Sequence, residues 1–545
     1  MLIICNLQLN SQNLYSNYSS MSQNIYKLEK EYPSVCTVNS LTKTAGGKEI
    51  LEITIGTGDK NNKPGIAVVG GVEGNYLLGV EIASGFAAAL LKESDSPDIK
   101  SLLDKVTFYI LPNVSPDATE QFFSKLKYER NVNCRSTDDD RDFVSDEDPF
   151  EDLNNDGYIT LIRVTDPTGS FVESNEDARI MVPADLSKGE KGKYLVFSEG
   201  IDNDKDGKYN EDGEGGVNFN RNFTFNYESF GLNSGLYPVS EPETKAVADF
   251  LFDRFNIYTV FSFGPQDNLG QPLKSAEGPA SQPRPQTRRG QYRRPAMSEA
   301  DGIITSILKS DETINKMVSD RYHEITGAKG APVSRTTRGN FMDWAYFHYG
   351  RYSFSTPAWW ITAEKGKSPE AAFLKYADSK KMNDVFVPWA EIKDPDFADK
   401  KTEVGGIKPF VMNTPPADTL GDIVKNNYKF ITSIASMHPE LEFLDMKTEN
   451  AGENLFRITL HVHNKGIFAT CAEIGDDNMF TRIMRISLEL QQGQSIISGL
   501  KVERIKRLEG GQSAEFSWLI LGKGTVKVTA GAVNTGIISD NISLR

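Results

Sequence analysis

Residues 65–81 read Gly65-Ile-Ala-Val-Val-Gly-Gly-Val-Glu-Gly-Asn-Tyr-Leu-Leu-Gly-Val-Glu81. The apolar run Gly65–Val69 reads as a short strand buried on both faces. Gly70-Gly71 punctuates it, and an apolar helix is expected over Val80–Leu91. A strand that turns on glycine and feeds a helix is the repeating unit of an α/β sheet. Working outward, the same alternation recurs. A helix is expected over Tyr15–Tyr32, with apolar spacing at Met21, Ile25, Tyr26 and Leu28. Strands are expected at Ile50–Ile55, Val106–Leu111, Asn256–Phe263 and Arg351–Thr362. Helices are expected over Glu241–Phe255, over residues 300–325 and over Leu420–Met437. Ser240 is expected to cap the 241–255 helix, with Glu243 at the capping-box position. The pattern predicts a sheet with helices on both faces.

From about residue 441 only strands are expected: Arg457–His463, Ile483–Leu490, Ser513–Leu521 and Gly524–Thr529. Their short, even spacing predicts a small immunoglobulin-like β-sandwich. The expected division is an N-terminal extension (1–14), an α/β domain (15–438) and a β-sandwich (439–545). The α/β domain would contain an acidic insert (136–214) and a flexible basic loop (265–298). That loop is rich in Pro, Gln and Arg. The alternative is a basic lid in which Arg288, Arg289, Arg293 and Arg294 face an anion.

The chain has 545 residues, 39% of them hydrophobic and 25% charged, as in globular proteins of more than one domain. A net charge of −15 argues against nucleic acid as a partner. No run of about 18 apolar residues exists, so no membrane span is expected. The opening Met1-Leu-Ile-Ile-Cys-Asn-Leu-Gln-Leu-Asn10 is too short and lacks the basic residues of a convincing signal peptide; a mis-assigned start would have the same effect. Cys5, Cys36, Cys134 and Cys471 lack paired spacing and read as thiols rather than a disulfide framework.

Two acidic stretches share a pattern. Asp138, Asp140, Asp142, Asp146, Glu147 and Asp148 form one; Asp202, Asp204, Asp206, Asn210, Glu211 and Asp212 form the other. A third, Asp152-x-Asn154-x-Asp156-Gly157, follows the first. Alternating oxygen donors with Gly at the sixth place are what a calcium loop uses. Calcium is therefore the expected cofactor, against the plainer reading of a solvated acidic loop. Phe143 stands at the Gly place of the first stretch, and no loop has Glu at the twelfth place, so these are not full EF-hands.

Several strings resemble the zinc carboxypeptidase family. Gly70-Gly-Val-Glu-Gly-Asn-Tyr76 is similar to its GG-I-H-G-N-E segment. Asn113-Val-Ser-Pro-Asp117 is similar to N-P-D-G, Val217-Asn-Phe-Asn-Arg-Asn-Phe223 to D-L-N-R-N-F, and Ser240-Glu-Pro-Glu-Thr244 to S-E-P-E-T. The stretch Gly339-Asn340 to Trp344-Ala-Tyr346 resembles the approach to the last active-site strand. The strings cover roughly residues 15–435. The resemblance implies a mixed sheet, a bacterial subgroup with acidic inserts and a β-sandwich, and a periplasmic or extracellular location. It also implies zinc, held by His, Glu and His, with a Glu as general base. Carried over residue by residue, the zinc ligands fall on Glu73, Tyr76 and Phe261, and the base on Pro357 or Ala358. There is no histidine before His323. The expectation is that zinc is absent and catalysis is lost. The substrate-carboxylate grip falls on Asn220 and Arg221, with Arg130 or Arg135 as the oxyanion arginine and Tyr346 or Tyr349 lining the cleft. A salt bridge between Arg221 and Glu73 is the structural alternative.

Three functions follow as expectations. The first is a pseudo-peptidase that binds peptide or peptidoglycan-type C-terminal carboxylates. The second is an active hydrolase with a non-standard site, in which Glu73 serves as base or metal ligand with Asp117 or Glu81 nearby. The third is a calcium-stabilised surface scaffold or adhesin.

Overall fold

The computed structural model describes residues 15–138, 143–146, 148–203, 205, 207–210, 213, 215–276, 304–334, 337–363 and 366–545. The opening strand, Gly65–Val69, is buried at every position. It lies inside a six-stranded sheet, between Thr107–Leu111 and Ile257–Phe263. Tyr352–Thr356 forms one edge; Glu49–Ile55 and then Cys36–Lys43 complete the other. The four strands from Thr107–Leu111 to Tyr352–Thr356 run parallel, and the other two pair antiparallel. The sheet is thus mixed. A parallel sheet must be covered on both sides, and it is. The helices Leu77–Lys92, Lys309–Thr326 and Leu420–Ala435 pack on one face. Pro242–Phe252, Phe341–Phe347 and the short turn Phe219–Arg221 pack on the other.

The Gly70-Gly71 turn is needed for two reasons. A Cβ on Gly70 would lie 2.3 Å from Pro112 O and 2.5 Å from Gly79 O, so any side chain would force strand end and helix start apart. Gly71 has a φ of +68°, a conformation open to glycine at little cost. The strand can therefore end against the neighbouring Pro112 and release residues 72–76 onto the sheet's C-terminal edge.

Two expected boundaries differ. The helix opened by the SEPET string starts at Pro242, with Glu241 as its extended N-cap and no side-chain capping bond. Pro at the first helical position holds the preceding residue extended and displaces Ser240 from the capping role. The last strand stops at Thr356, because Pro357 cannot donate to a ladder and Ala358 has a φ of +62°. Other elements carried no clear periodic signal: the strands Cys36–Lys43, Leu441–Gly452 and Gly536–Leu544, and the helix Pro97–Lys105.

A second six-stranded sheet is antiparallel and joins distant segments. Its order is Phe386–Ile392, Thr402–Ile407, Leu161–Thr165, Tyr194–Ser198, Phe171–Glu173 and Met181–Pro183. Ile162, Val164 and Val404 fill its core with Leu195, Phe197 and Phe397. On its other face Arg163 pairs with Glu403 at 2.9 Å and lies 4.5 Å from the Trp389 ring.

The C-terminal residues build two four-stranded antiparallel sheets. Phe456, Trp518 and Ile520 from one meet Ile486, Val526 and Val528 from the other in a shared core, which makes a β-sandwich. Asn464, fully buried, ties its loops together: its Nδ2 donates to Phe468 O, Leu508 O and Glu509 O, and its Oδ1 accepts from Glu440 N and Gly466 N. Among the described residues, no helix is long and apolar enough to cross a membrane.

Candidate functional site

Glu73 sits just past the glycine turn, 7% exposed. Its carboxylate is held by amides rather than by cations. Asn218 Nδ2 donates to Oε1 at 2.6 Å, and Asn220 Nδ2 donates to Oε2 at 2.9 Å. Asn131 donates as well. Burial pushes the Glu73 carboxyl above the usual range; the three amides and the charge of Arg221 act against that rise. Burial is the larger effect because the site is enclosed.

The two asparagines reach Glu73 because of their own local fold. Asn218 is the N-cap of the short turn Phe219–Arg221, and its Oδ1 accepts from Asn220 N at 2.7 Å. Phe219 and Phe223 anchor this turn in the apolar layer beside Phe341. Asn220 is then saturated. Besides Glu73, its Nδ2 serves Gln266 Oε1 at 2.8 Å, and its Oδ1 accepts from Phe341 N at 2.9 Å. Asn222, the third asparagine of the string, donates to Ser234 O and Tyr237 O and so fixes the next loop. Asn131, Asn218 and Gln266 carried no separate signal in the sequence. The alternation Asn218-x-Asn220-x-Asn222 was the visible trace of this amide cluster.

The other expected positions divide. Tyr76 is the N-cap of the helix Leu77–Lys92, and its N–H donates to Glu73 O at 3.1 Å. Phe261 is 1% exposed and packs on Phe354 and Phe430, with centroids 5.4 and 5.6 Å away. Pro357 is buried, and Ala358 half-buried, at the end of the last strand. Arg221 donates from Nη1 to Leu232 O at 3.2 Å, and no Arg221–Glu73 ion pair within 4 Å occurs among the described residues. Arg130 is 5% exposed and spends its guanidinium on Val132 O and Asn133 O. Arg135 pairs with Glu241 at 2.7 Å. Tyr346 lies in the core, where its hydroxyl donates to Asp311 at 2.8 Å, and the Tyr349 hydroxyl donates to Arg254 O. Glu81 accepts from Ser16 N, just ahead of the helix Tyr18–Glu31. Asp117 is 3% exposed and accepts from Thr44, Gly46 N and Lys48.

Zinc does not fit the residues at the carried-over positions. It wants about three N, S or O donors converging on one point. Here one carboxylate has both oxygens engaged by amides, a tyrosine stands at the N-cap position of a helix, and a benzyl ring is embedded in the core. Among the described residues, no group of three or more His, Cys, Asp and Glu could hold a metal ion.

A second buried polar cluster lies close by, on the far side of Asn131. It lines a cavity of about 10 Å³ with Ser115, Asp117, Asn133 and Glu243. Asn133 Nδ2 donates to Glu241 Oε2 at 2.9 Å and Glu243 Oε1 at 2.8 Å. Glu243 Oε2 has no hydrogen-bond partner among the described residues. Burial, with help from Glu241 and Asp117, pushes the Glu243 carboxyl up to about 7.

The acidic repeats fold alike. In each, the first aspartate accepts from the main-chain N–H five residues on: Asp138 from Phe143 N (3.1 Å), Asp152 from Gly157 N (2.7 Å), Asp202 from Gly207 N (3.0 Å). The sixth residue has positive φ every time: +79°, +84° and +91°. Asn154 Oδ1 also accepts from Asp156 N. Asp148 leaves its own stretch and pins the second one, accepting from Asn203 N at 3.1 Å and from Asn210 N. Asp146 is tied to Ser136 at 2.6 Å. Asp140, Asp142, Asp204, Asp206 and Asp212 lie outside the described residues, as do Glu147, Glu211 and the basic run from Arg288 to Arg294. Cys36, Cys134 and Cys471 are thiols.

Comparison with known proteins gives two family matches. Residues 21–179 match the family model described as zinc carboxypeptidase, and residues 440–543 match a domain of unknown function, DUF8731. Carboxypeptidase D of Rattus norvegicus is 26% identical over 137 residues, 24% of this chain and 10% of that protein. Carboxypeptidase E of Caenorhabditis elegans is 24% identical over 193 residues, 34% of this chain and 39% of that protein. The chain thus spans a tenth to two-fifths of these curated relatives. Among solved structures, thrombin activatable fibrinolysis inhibitor aligns over 77% of this chain and 74% of its own, with 13% identity and a TM-score of 0.41.

Proposed function

We propose that this chain, in which residues 21–179 match the zinc carboxypeptidase family model, is a non-hydrolysing member of that family that binds peptide or peptidoglycan-type C-terminal carboxylates. One observation carries the reading: where the family places a zinc ligand, the Glu73 carboxylate is locked by Asn218 and Asn220. A lone carboxylate with both oxygens bound to amides, and with Tyr76 and Phe261 at the other carried-over positions, lacks the converging donors that a zinc site needs. Asn220 is saturated as well. That leaves Arg221 as the group for the carboxylate, because its bond to Leu232 O leaves other N–H donors of the guanidinium fork.

Calcium is the second part of the reading. Its support is the bond shared by the three acidic repeats, in which the first aspartate accepts from the main-chain N–H five residues on, a tight turn of the kind on which a calcium loop is built. We take the ion to be structural and the setting periplasmic or extracellular, where calcium is abundant enough for modest sites.

The test is calorimetric titration with a tripeptide bearing a free C-terminal carboxylate and with its amide, using wild type and Arg221→Ala. We expect the acid to bind, the amide to bind at least tenfold more weakly, and Arg221→Ala to abolish the difference. Equal affinity for the two peptides would overturn carboxylate recognition. Release of the C-terminal residue by zinc-supplemented protein would overturn the loss of hydrolysis.

A further inference from the structure

A groove of about 750 Å³ opens beside Asn131, the residue that also donates to Glu73. It runs between the parallel-sheet domain and the antiparallel sheet that joins residues 161–198 to 386–407. Its volume suits an organic ligand rather than an ion. Tyr128 and Phe150 form one wall, with ring centroids 4.3 Å apart, and Leu161, Trp389 and Met412 contribute others. Leu161 is 38% exposed although it lies on a central strand of its sheet, so the sheet presents apolar surface there. An uncovered apolar surface of this kind marks a binding site.

The chemistry of the occupant follows from the charges. Four charged side chains line the groove, and each is engaged within the protein. Arg179 pairs with Asp177 (2.6 Å) and Asp378 (2.7 Å). Lys408 pairs with Asp384 and lies 4.0 Å from the Tyr158 ring centroid. Glu129 accepts from Asn75 Nδ2 and Phe410 N, and Glu370 accepts from Ser368. The groove therefore offers neutral, aromatic and aliphatic surface. A charged ligand would be desolvated there without a counter-charge.

Among the groove's uncharged polar side chains, Asn75 has a buried acceptor to offer. The half-buried Asn75 lines the end nearest Glu73, and its Nδ2 is fixed on Glu129 at 2.6 Å. That bond orients the amide and leaves Oδ1 buried with no hydrogen-bond partner among the described residues. A buried acceptor without a partner is costly to the fold. The complementary group is an N–H donor.

We propose that this groove takes a neutral peptide segment with aliphatic or aromatic side chains, its amide N–H directed at Asn75 Oδ1. The proposal rests on the peptide-binding reading above and deepens it: Arg221 would take the carboxylate end, and the groove would select the residues that accompany it.

The test uses the full-length protein and three probes: acetyl-Leu-Leu-Phe acid, its C-terminal amide, and acetyl-triglycine acid. Wild type, Leu161→Asp, Met412→Glu and Arg221→Ala are titrated with each. The two groove variants come from separate segments of the chain, and an unchanged melting profile in either one keeps the test valid. We expect wild type to bind the apolar acid at least tenfold more tightly than triglycine acid. Each groove variant should weaken the apolar acid and amide by at least tenfold while leaving triglycine acid unchanged. If Leu161→Asp and Met412→Glu bind the apolar probes as wild type does, the groove is not the site. Arg221-dependent binding of all acids with no gain from apolar side chains would likewise sink the groove and leave carboxylate recognition standing. Equal binding of apolar acid and amide, lost only in the groove variants, would do the reverse.

Discussion

Glu243→Gln is the sharpest test of the polar interior. Glu243 is 2% exposed, its Oε2 has no hydrogen-bond partner among the described residues, and Glu241 and Asp117 lie close enough to oppose its charge. Its carboxyl rises from 4.5 to about 7. In sign, a folded-state value above the unfolded one means that the folded protein holds the proton more tightly. The resulting stabilisation is full below about 4.5 and is lost as pH rises through about 7. A rise of this size corresponds to about 3 kcal/mol. Gln keeps the acceptor for Asn133 and never ionises. Between pH 5 and pH 8 the variant should therefore gain about 3 kcal/mol relative to wild type. For a unit of this size that is a relative rise of about 3 °C in melting temperature. The assay is differential scanning calorimetry of both proteins at half-unit steps from pH 4.5 to 8.5. A melting-temperature difference that stays flat across that range would refute the assignment of a buried, elevated carboxyl.

Three further outcomes are expected. Calcium should raise the melting temperature and protect residues 136–214 from limited proteolysis; an unchanged melting temperature after chelation would remove the ion from the account. Gly157→Ala should destabilise the insert by about 1 kcal/mol, because φ is +84° and the new Cβ would approach Lys125 O at 3.3 Å. Phe143→Gly at the matching place should cost nothing measurable, since the ring is 97% exposed and φ is already +79°. Chemical denaturation of the two variants side by side checks both. Asn464→Ala should cost about 2–4 kcal/mol in the β-sandwich, since it strips partners from several buried main-chain groups at once. Retained cooperativity and an unchanged midpoint for that sandwich would show that the loops hold without the hub.

The elements that sequence reading recovered are those with strong periodicity or an uninterrupted apolar run. Gly65–Val69, Thr107–Leu111 and Ile257–Phe263 are buried on both faces, and their composition says so. The strand Leu441–Gly452 was not legible, because nine of its twelve residues are exposed and its pairing depends on a partner later in the chain. Ser240 was misread because local capping chemistry was weighed above the constraint that Pro242 places on Glu241. At the site, the replacements at Glu73, Tyr76 and Phe261 were visible as residue types. What holds Glu73 was not. Asn131, Asn218 and Gln266 come from three separated segments, and only the fold brings their amides together.

The strand Leu161–Thr165 finds its partner at Thr402–Gly405, as the Arg163–Glu403 bond across 240 residues illustrates. During synthesis at 5–20 residues per second, that partner emerges roughly 10–50 s after the first strand has left the ribosome. For that interval one edge of the strand is filled by Tyr194–Ser198 and the other stays open. An open edge is a template for pairing with another chain, and the acidic run that lies beside it in the sequence opposes such association by like charge. Arrival of Thr402–Ile407 closes that edge.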